Sequence, residues 1–284
     1  MTRAYLAGLI GAGVGPSLTP ALHMAEARHH GIEYLYRTID LPALGLPASD
    51  VGDLVRYGRL LGYDAFNITH PCKQIVVPHL DRVERRAADL GAVNTVVFED
   101  GRAVGYNTDL TGFEAAFTTG LPGADTRHVV QIGAGGAGSA VAAALLGLGT
   151  QRLSIVDVDH ERATALTQDL SARYPGAQVE TSSPEKLSAL LSEADGLVHC
   201  TPTGMADHPG LPLDATFLHA RLWVADIVYR PLETALLQAA RAAGCRTLDG
   251  GHMAVHQAVD AFHLITGRTP DAARMLQHFR SLVA

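Results

Sequence analysis

Apolar and polar residues follow a strand–helix–strand order along the first third of the chain. Strand patterns occur in "AYLAGLIGA" from Ala4, "YLYRTIDL" from Tyr34 and "AFNITHP" from Ala65. Between them, apolar residues recur at helical spacing in "PALHMAEARHH" from Pro20 and "DVGDLVRYGRLLG" from Asp50. Strands that alternate with helices predict a mainly parallel sheet.

The next segment has the pattern of two strands joined by a short turn. It reads "AVNTVVFEDGRAVGYNTD" from Ala92. Because an Asp-Gly pair favours a tight hairpin turn, we predict that the chain reverses at Glu99, Asp100 and Gly101. The stretch "TTGLPGAD", residues 118–125, has the composition of a linker into the series of elements that comes after it.

A second alternating series begins near His128, and two helical patterns come after it from about Gly250. Strand and helix patterns again take turns, which predicts a second α/β domain. The patterns are "HVVQIGAGGAGSAVAAALLGLG", "LSIVDVD", "HERATALTQDLSARY", "ADGLVHCTP", "LWVADIV" and "PLETALLQAARAAGC".

Composition narrows the class of protein further. With 284 residues, 47% of them hydrophobic, the chain can form one large domain or two ordinary ones. A net charge of -7 and the lack of a dense Lys/Arg run argue against a nucleic-acid surface. No apolar run approaches the roughly 18 residues of a membrane span. Three widely spaced cysteines without a CxxC motif predict no disulfide framework and a reducing, cytoplasmic location.

The clearest chemical signal is a glycine loop, G-x-G-x-x-G, formed by Gly133, Gly135, Gly136 and Gly138. It comes after a strand pattern and opens a helix pattern, and the next strand ends in Asp157, about 20 residues on. Such glycines allow a tight turn and close approach to a pyrophosphate, which the helix N-terminus also attracts. A plain turn is the alternative, but the full context predicts a Rossmann dinucleotide-binding domain.

The acid behind the loop indicates which cofactor is used. A carboxylate at Asp157 can accept hydrogen bonds from both ribose hydroxyls of NAD and would repel a 2′-phosphate. Asp159 adds a second negative charge, and the nearby cation, Arg162, lies in the next helix pattern. The sequence therefore favours NAD over NADP.

Three polar clusters follow or flank the strand patterns of the first series. Ligands bind beyond the carboxyl ends of strands in open parallel sheets, so these clusters are candidates for a substrate site. They are Ser17 to Pro20, Thr69 to Gln74, and Asn94-Thr95 together with Asn107 to Asp109.

Each cluster also has a structural explanation. Thr19 before Pro20 is a good helix N-cap, and Asp109 can cap the helix pattern "LTGFEAAF". Lys73 can be a solvated lysine in a first helical turn, although a cation is unfavourable near the positive helix end. Capping and catalysis do not exclude each other.

Eight motifs, in order and spanning most of the chain, resemble those of the shikimate/quinate dehydrogenase family. They are "GVGPSLTPALH", "NITHPCKQ", "GAVNTVV", "GYNTD", "GAGGAG", "TPTGM", "VADIVYRPLETALL" and "HQAVDAF". The resemblance implies an α/β enzyme of two domains. The substrate domain would be residues 1–107, joined by C-terminal helices 250–284, and the Rossmann domain residues 108–249.

The resemblance also implies roles for individual residues. Lys73 and Asp109 would form the catalytic pair, in the cleft between the domains. Ser17 and Thr19 would hold a substrate carboxylate, and ring hydroxyls would be bound by Thr69, Asn94 and Gln257. The expected dinucleotide contacts are Gly133, Gly135, Gly136, Ala137, Gly138, Asp157, Thr201, Tyr229 and Gly250.

Within the family, the sequence is similar to the NAD-using quinate/shikimate branch. "VDVD" stands where the biosynthetic NADP enzymes usually have Asn-Arg-Thr. One departure from the family is His199-Cys200, where Asn-Ala is usual. The expected partner is a small carboxylate, quinate or shikimate, and the expected assembly is a monomer or homodimer. Two alternatives remain: an NADP-dependent biosynthetic shikimate dehydrogenase, and a cofactor-binding regulator without turnover.

Physical chemistry supports the proposed pair independently. Oxidation of a secondary alcohol needs loss of a hydride and of the hydroxyl proton, and a lysine with an aspartate can position that hydroxyl. A lysine acts as a pure base only when desolvated, which a nearby Asp109 opposes. We therefore expect Lys73 at least to position the hydroxyl and stabilise charge. His252 and His256 have zinc-like spacing, but no third ligand is evident, so no metal is expected.

Overall fold

The computed structural model describes residues 3–283. The chain divides into two compact units, one running up to Thr108 and taking up Val255–Leu282, the other comprising Asp109–Ala254. Each unit is built on one six-stranded sheet. The ends of the predicted domain ranges, Met1, Thr2 and Ala284, lie outside the described residues. Two α/β units with mainly parallel sheets confirm the predicted fold class.

The sheet of the first unit has the order β2-β1-β3-β5-β6-β4. Its strands are β1 (Ala4–Gly11), β2 (Glu33–Asp40), β3 (Ala65–Ile68), β4 (Arg82–Val83), β5 (Thr95–Glu99) and β6 (Arg102–Tyr106). The helices along it are α1 (Thr19–His29), α2 (Leu41–Leu44), α3 (Val51–Leu60), α4 (Cys72–Ile75) and α5 (Arg85–Leu90). Strands β1, β2 and β3 are parallel, whereas β5 runs antiparallel to β3 and β6.

The predicted hairpin is confirmed by β5 and β6. Asp100 and Gly101 connect them with φ angles of 47° and 76°. Positive φ at both central residues is the geometry of the turn whose twist matches a right-handed hairpin. The Asp-Gly pair therefore sets the strand register here.

Burial of aromatic residues on both faces holds the first unit together. One face buries Tyr34, Tyr36 and Phe262 in a single cluster. The other buries Phe66, which contacts α3 so closely that a Cβ at Gly58 would lie 2.1 Å from its ring. Complete burial of such a side chain contributes about 1.5–3 kcal/mol.

The sheet of the second unit is entirely parallel, with the order β12-β11-β10-β7-β8-β9. Its strands are β7 (His128–Ile132), β8 (Arg152–Val156), β9 (Gln178–Ser182), β10 (Gly196–His199), β11 (Trp223–Asp226) and β12 (Arg246–Leu248). Its helices are α6 (Thr108–Gly120), α7 (Gly136–Gly147), α8 (His160–Arg173), α9 (Leu187–Glu193) and α10 (Ala235–Ala242). The strand order reverses between β7 and β10, the point where open α/β sheets bind ligands.

Only the second part of the predicted linker, residues 121–125, lies outside a helix. Residues 118–125 overlap the end of α6, which continues to Gly120. Hydroxyls of Thr118 and Thr119 donate back to the carbonyls of Glu114 and Ala115, so these residues complete the helix. A composition rich in Thr and Gly did not reveal this last turn.

Two further helices come after β12, α11 (Gly250–Thr266) and α12 (Ala272–Val283), as the two helical patterns predict. In the first unit, Phe262 of α11 stacks on Tyr34 with ring centroids 5.8 Å apart. Arg274 of α12 donates to the buried carboxylate of Glu26 in α1, at 2.9 and 2.5 Å. These contacts attach α11 to the first sheet and α12 to α1.

Candidate active site

Four chain segments meet at one edge of the first sheet. Ile10 of β1 pairs with Ile68 of β3, and Asn67 pairs with Thr95 at the start of β5. Because β5 runs antiparallel to β3, the start of β5 lies beside the end of β3. Since β6 returns beside β5, Tyr106 at its end reaches the same edge. The first-unit clusters predicted from sequence therefore converge on this edge.

Ser17 lies in the segment between β1 and α1, and Thr19 is the first residue of α1; both are partly exposed. The hydroxyl of Ser17 accepts from the Thr19 N–H at 3.3 Å. The expectation that Thr19 caps α1 is wrong, because the helix begins at Thr19 and Leu18 holds the cap position without a side-chain bond. The Thr19 hydroxyl is therefore not used as a helix cap.

Thr69 comes directly after β3 and leads into the single-turn helix α4. The Cys72 N–H donates to the Thr69 carbonyl at 2.8 Å, which closes the turn. Lys73 is the second residue of α4, and its carbonyl accepts from the Val93 N–H at 2.8 Å. This bond ties the lysine backbone to the residue before Asn94. Burial raises the pKa of the Cys72 thiol, which fits a packing role.

A buried hydrogen-bond network connects the sheet interior to this edge. The Tyr36 hydroxyl donates to Asn67 at 2.6 Å, and the Asn67 amide donates to Thr95 at 2.9 Å. Thr95 donates to the side-chain Oδ1 atom of Asn94 at 3.1 Å, and that oxygen also accepts from the Thr108 N–H at 2.7 Å. All five residues are less than 10% exposed. We call Tyr36, Asn67, Thr95, Asn94 and Thr108 the amide–hydroxyl network.

The network determines where α6 begins. Thr108 is its first residue and is held by Asn94, so Asp109 is the second residue of the first turn. Asp109 therefore does not hold the N-cap position, which comes before Thr108. Sequence analysis found Asn94 but missed Tyr36, Asn67 and Thr95 as a connected group. The available signal was the row of polar residues within strand patterns, "FNI" and "NT".

Gln257 and Gly250 both lie on α11, in different units. Gln257 is partly exposed on the third turn of the helix. Gly250 begins the helix, and a Cβ there would lie 2.4 Å from the Ile227 carbonyl oxygen. Close packing against the backbone after β11 explains this glycine. Its contact with a cofactor stays a prediction.

The glycine loop in the second unit is held by contacts with β7, the strand before it, and with the chain after β10. Gly133 has a φ of 106°, and a Cβ there would lie 2.7 Å from the Cys200 carbonyl oxygen. Below the loop, the buried amide nitrogen of Gln131 donates to the carbonyls of Gly133 and Gly138 at 2.8 and 2.9 Å. One side chain therefore joins both ends of the loop.

At two other positions of the loop, no contact within the chain requires a glycine. A Cβ at Gly135 or Gly136 would meet no atom within 4 Å, and Gly135 has an ordinary φ of -73°. They leave open space before the N-terminus of α7, where Ala137 is the second residue. An open cradle over a helix N-terminus fits the pyrophosphate of a dinucleotide.

Asp157 comes after β8 and has more partners than the sequence suggested. Its carboxylate accepts from the Ala134 N–H at 2.7 Å and the Asp159 N–H at 2.9 Å. It also accepts from two nitrogens of Arg162, at 2.6 and 3.4 Å. Sequence analysis placed Arg162 away in the next helix, but its guanidinium bonds Asp157 directly. The neighbouring Val158 is 92% exposed and offers no charge.

The ionic state of Asp157 results from these bonds. Burial would raise the pKa of its carboxyl, but the bonds from Arg162, Asp159 and Ala134 outweigh burial and lower it. Four donors match the roughly four lone-pair sites of a carboxylate. A further donor, such as a ribose hydroxyl, therefore has to displace Arg162, whose side chain is 47% exposed.

Thr201 comes after β10 and lies against the glycine loop. Its methyl carbon would be 2.9 Å from a Cβ at Gly133. Its hydroxyl is 2.5 Å from the Nε2 atom of His199, which sequence analysis noted only as a departure from the family. Tyr229 lies after β11 and is 40% exposed. Its role stays a prediction.

Residues 3–283 contain neither a metal cluster nor a membrane-spanning helix. No group of three or more His, Cys, Asp or Glu residues in this range is arranged to hold a metal ion. His252 on α11 bonds Asp249 at 3.2 Å. Among the described helices, none is both long and apolar enough to cross a bilayer.

Two family models match the chain. The Shikimate dehydrogenase substrate binding domain matches residues 9–96, and the Saccharopine dehydrogenase NADP binding domain matches residues 129–206. Among solved structures, the chain is similar to the quinate dehydrogenase from Corynebacterium glutamicum in complex with NAD. Their TM-score is 0.94 and their identity 46%, covering 98% of this chain and 99% of that one. Fold and matches together define a two-domain oxidoreductase that acts on CH–OH groups.

Relatives of known name make the assignment specific. The chain is 60% identical to the shikimate dehydrogenase (NADP(+)) of Streptomyces avermitilis, covering 98% of this chain and 96% of the relative. It is 46% identical to the quinate/shikimate dehydrogenase (NAD(+)) of C. glutamicum, covering 99% and 100%. The chain belongs to the shikimate/quinate dehydrogenase family, which confirms the resemblance of its motifs. The names of these two relatives differ in cofactor.

Proposed function

We propose that this enzyme uses NAD to oxidise, reversibly, a ring hydroxyl of quinate or shikimate to the 3-dehydro product. The observation that carries the cofactor choice is Asp157. Its buried, ionised carboxylate lies directly under the glycine loop, bonded to the Ala134 N–H. A carboxylate at this place can accept hydrogen bonds from the ribose hydroxyls, and its negative charge repels a 2′-phosphate.

The exposed surface beside Asp157 supports the same choice. Val158 and Asp159 come next in the chain, so the two positions after Asp157 offer an apolar side chain and a second carboxylate. Arg162, the cation that contacts both acids, is already bound to them at 2.6 and 3.6 Å. In this arrangement the region beside the glycine loop carries more negative than positive charge.

At the reacting carbon, the nicotinamide of the bound cofactor accepts the hydride. Lys73 and Asp109 would both bond the hydroxyl that loses its proton, the lysine stabilising negative charge on the oxygen. Support comes from the sheet edge of the first unit. There the Lys73 carbonyl is bonded to Val93, and Asn94 holds Thr108, the residue before Asp109.

Other polar groups of the same edge would orient the substrate. The hydroxyls of Ser17 and Thr19 can donate to its carboxylate, since the Ser17 oxygen only accepts from the Thr19 N–H and the Thr19 hydroxyl does not cap α1. Thr69, Asn94 and Gln257 would bind the remaining ring hydroxyls. A carboxylate with two hydroxyl donors and a nearby lysine is held in one orientation, which hydride transfer requires.

A second candidate, an NADP-dependent shikimate dehydrogenase, is favoured by one observation. The guanidinium of Arg162 is half exposed beside Asp157 and is a ready partner for a 2′-phosphate. The 60% identical relative carries the NADP(+) name. This candidate requires Arg162 to leave Asp157 for the phosphate.

Steady-state kinetics decide between the candidates. The experiment is a two-by-two matrix of quinate and shikimate against NAD and NADP, monitored by absorbance at 340 nm, a wavelength at which only the reduced cofactors absorb. We expect the largest kcat/KM with NAD. A larger value with NADP would establish the second candidate. No turnover in any of the four combinations would favour a cofactor-binding regulator.

Location and assembly are part of the proposal. The described cysteines, Cys72, Cys200 and Cys245, are unpaired and buried. We propose a cytoplasmic enzyme, where such thiols stay reduced. We further propose a monomer or a homodimer, which light scattering at micromolar concentration distinguishes.

A further inference from the structure

His199 and Asp226 form a buried pair that the proposed function does not use. They are the last residues of the neighbouring parallel strands β10 and β11, and they pair in register. The Nδ1 atom of His199 is 2.9 Å from a carboxylate oxygen of Asp226. Both side chains are fully enclosed, with 0% exposure each. The strand register therefore places an imidazole against a carboxylate inside the second unit.

The surroundings of Asp226 set the tautomer of His199. An ionised carboxylate only accepts hydrogen bonds, so Nδ1 of His199 must carry the proton. The Val228 N–H at 3.0 Å and the Thr234 hydroxyl at 2.7 Å are the other donors. Thr234 in turn caps α10 by accepting from Leu237. In the tautomer with its proton on Nδ1, the ring has a lone pair on Nε2.

That lone pair determines the direction of the Thr201 hydroxyl. Nε2 of His199 lies 2.5 Å from the Thr201 oxygen, so in this tautomer the hydroxyl proton points at the ring. The Thr203 N–H donates to the same oxygen at 3.3 Å. A hydroxyl oxygen has two lone pairs. One faces Thr203, and the other is left for an incoming donor beside Gly133.

We propose that His199 is a positioning residue for dinucleotide binding. Through Asp226 it holds Thr201 as a pure acceptor beside the glycine loop. The position then takes a donor of the cofactor, a ribose hydroxyl or the amide N–H of the nicotinamide, and disfavours a phosphate oxygen. The proposal rests on the proposed function, because it requires a dinucleotide at this loop.

Two substitutions of His199 separate its two hydrogen bonds. In His199→Asn the side-chain nitrogen can replace Nδ1 and keep the bond to Asp226, but nothing reaches Thr201. In His199→Gln the side-chain oxygen can replace Nε2 and accept from Thr201, while the bond to Asp226 is lost. Thr201→Val removes the hydroxyl itself with little change in shape. His128→Asn is the matched control, a buried histidine bonded to Ser154 at the opposite end of the same sheet.

Binding of NADH and NADPH to the full-length protein is measured by fluorescence titration without substrate, and melting temperatures report folding. Loss of one neutral hydrogen bond corresponds to a rise in Kd of about five- to tenfold. We expect that rise in His199→Asn and Thr201→Val, and no further rise in the double variant. His199→Gln should restore most of the affinity, and His128→Asn should bind like the wild type.

Several results would overturn the inference. An unchanged Kd in His199→Asn, with or without a lower melting temperature, would leave His199 a purely structural residue. If the rise in Kd of the double variant equals the product of the two single rises, His199 does not act through Thr201. If His199→Asn does not fold, an unchanged Kd in Thr201→Val overturns the inference alone. Failure of the wild type to bind either dinucleotide would contradict the proposed function as well.

Discussion

The carboxyl edges of the two sheets carry different kinds of polar group. In the first unit, the amide–hydroxyl network is neutral, buried and bonded within itself. In the second, Asp157 is a buried charge whose principal partner, Arg162, is half exposed. A buried neutral network is rigid because each lost bond leaves an unsatisfied group. A half-exposed arginine exchanges its partner for water or a ligand at low cost. The first edge therefore holds a fixed shape, and the second can change partners when a ligand binds.

The largest expected effect is that of replacing Lys73. It tests whether the first edge carries catalysis while the second binds the dinucleotide. Lys73→Ala should lower kcat by about 10²–10⁴, the usual loss for a positioned group in proton transfer. The Kd of NADH should stay within about twofold, because the glycine loop is part of the other unit. Stopped-flow kinetics and fluorescence titration give the two numbers.

Asp109→Ala should behave like Lys73→Ala, and the double variant should lose less than the product, because paired groups act as one unit. Thr118→Ala, in the same helix as Asp109, is the control. If the Lys73→Ala enzyme turns over at a near wild-type rate, the chain shares the family's fold at this edge but not its catalytic lysine.

The second effect tests whether the Asp157–Arg162 pair can be rearranged. Asp157→Ala removes an acceptor for ribose hydroxyls and frees Arg162 for a phosphate. The ratio of kcat/KM for NAD to that for NADP should fall about 10–100-fold, the scale of a hydrogen bond to a charged group. Arg162→Ala should raise the ratio, since Asp157 is then open to NAD. If the ratio changes in the same direction in both variants, Arg162 does not exchange between Asp157 and the phosphate of NADP.

The third effect tests the rigidity of the first edge. Asn67→Leu leaves Tyr36 and Thr95 without their shared partner in a buried site. Each unsatisfied group costs about 1–3 kcal/mol, so the free energy of unfolding should fall by several kcal/mol. Tyr36→Phe removes only one hydroxyl and should cost less. Urea unfolding measures both, and a stable Asn67→Leu protein would show that water replaces the network.

The smallest effect concerns a second buried carboxylate with an arginine partner. Burial would raise the pKa of Glu26, but the bonds from Arg274, the Asp271 N–H and His30 lower it below 4.5. A carboxyl with a lowered folded-state pKa stabilises the protein above its unfolded pKa and loses this contribution as pH falls. Wild type should exceed Glu26→Gln in unfolding free energy at pH 7, and the gap should narrow below about pH 4.5. A gap independent of pH would contradict this.

Local patterns predicted the fold well, because the elements depend on local chemistry. The Asp100-Gly101 turn, the strand before the glycine loop and the acid after β8 are all determined by neighbouring residues. The predicted polar clusters of the first series follow or precede strand ends that lie at one sheet edge, since strand order and direction bring those ends together.

Contacts that depend on register were not predicted. His199 meets Asp226 because β10 and β11 pair in register, and 27 positions separate them in the chain. Arg162 reaches Asp157 because the chain turns back at the start of α8. The cap positions lie one residue before Thr19 and two residues before Asp109. Such boundaries depend on hydrogen bonds to distant residues, as between Asn94 and Thr108.

The single amide of Gln131 has an entropic consequence. Because it joins both ends of the glycine loop from below, the loop holds its curved shape before any ligand arrives. Ordering a flexible segment on association costs conformational entropy, and a preformed loop avoids most of that cost. Replacement of Gln131 would therefore remove both bonds that hold Gly133 and Gly138 in this arrangement.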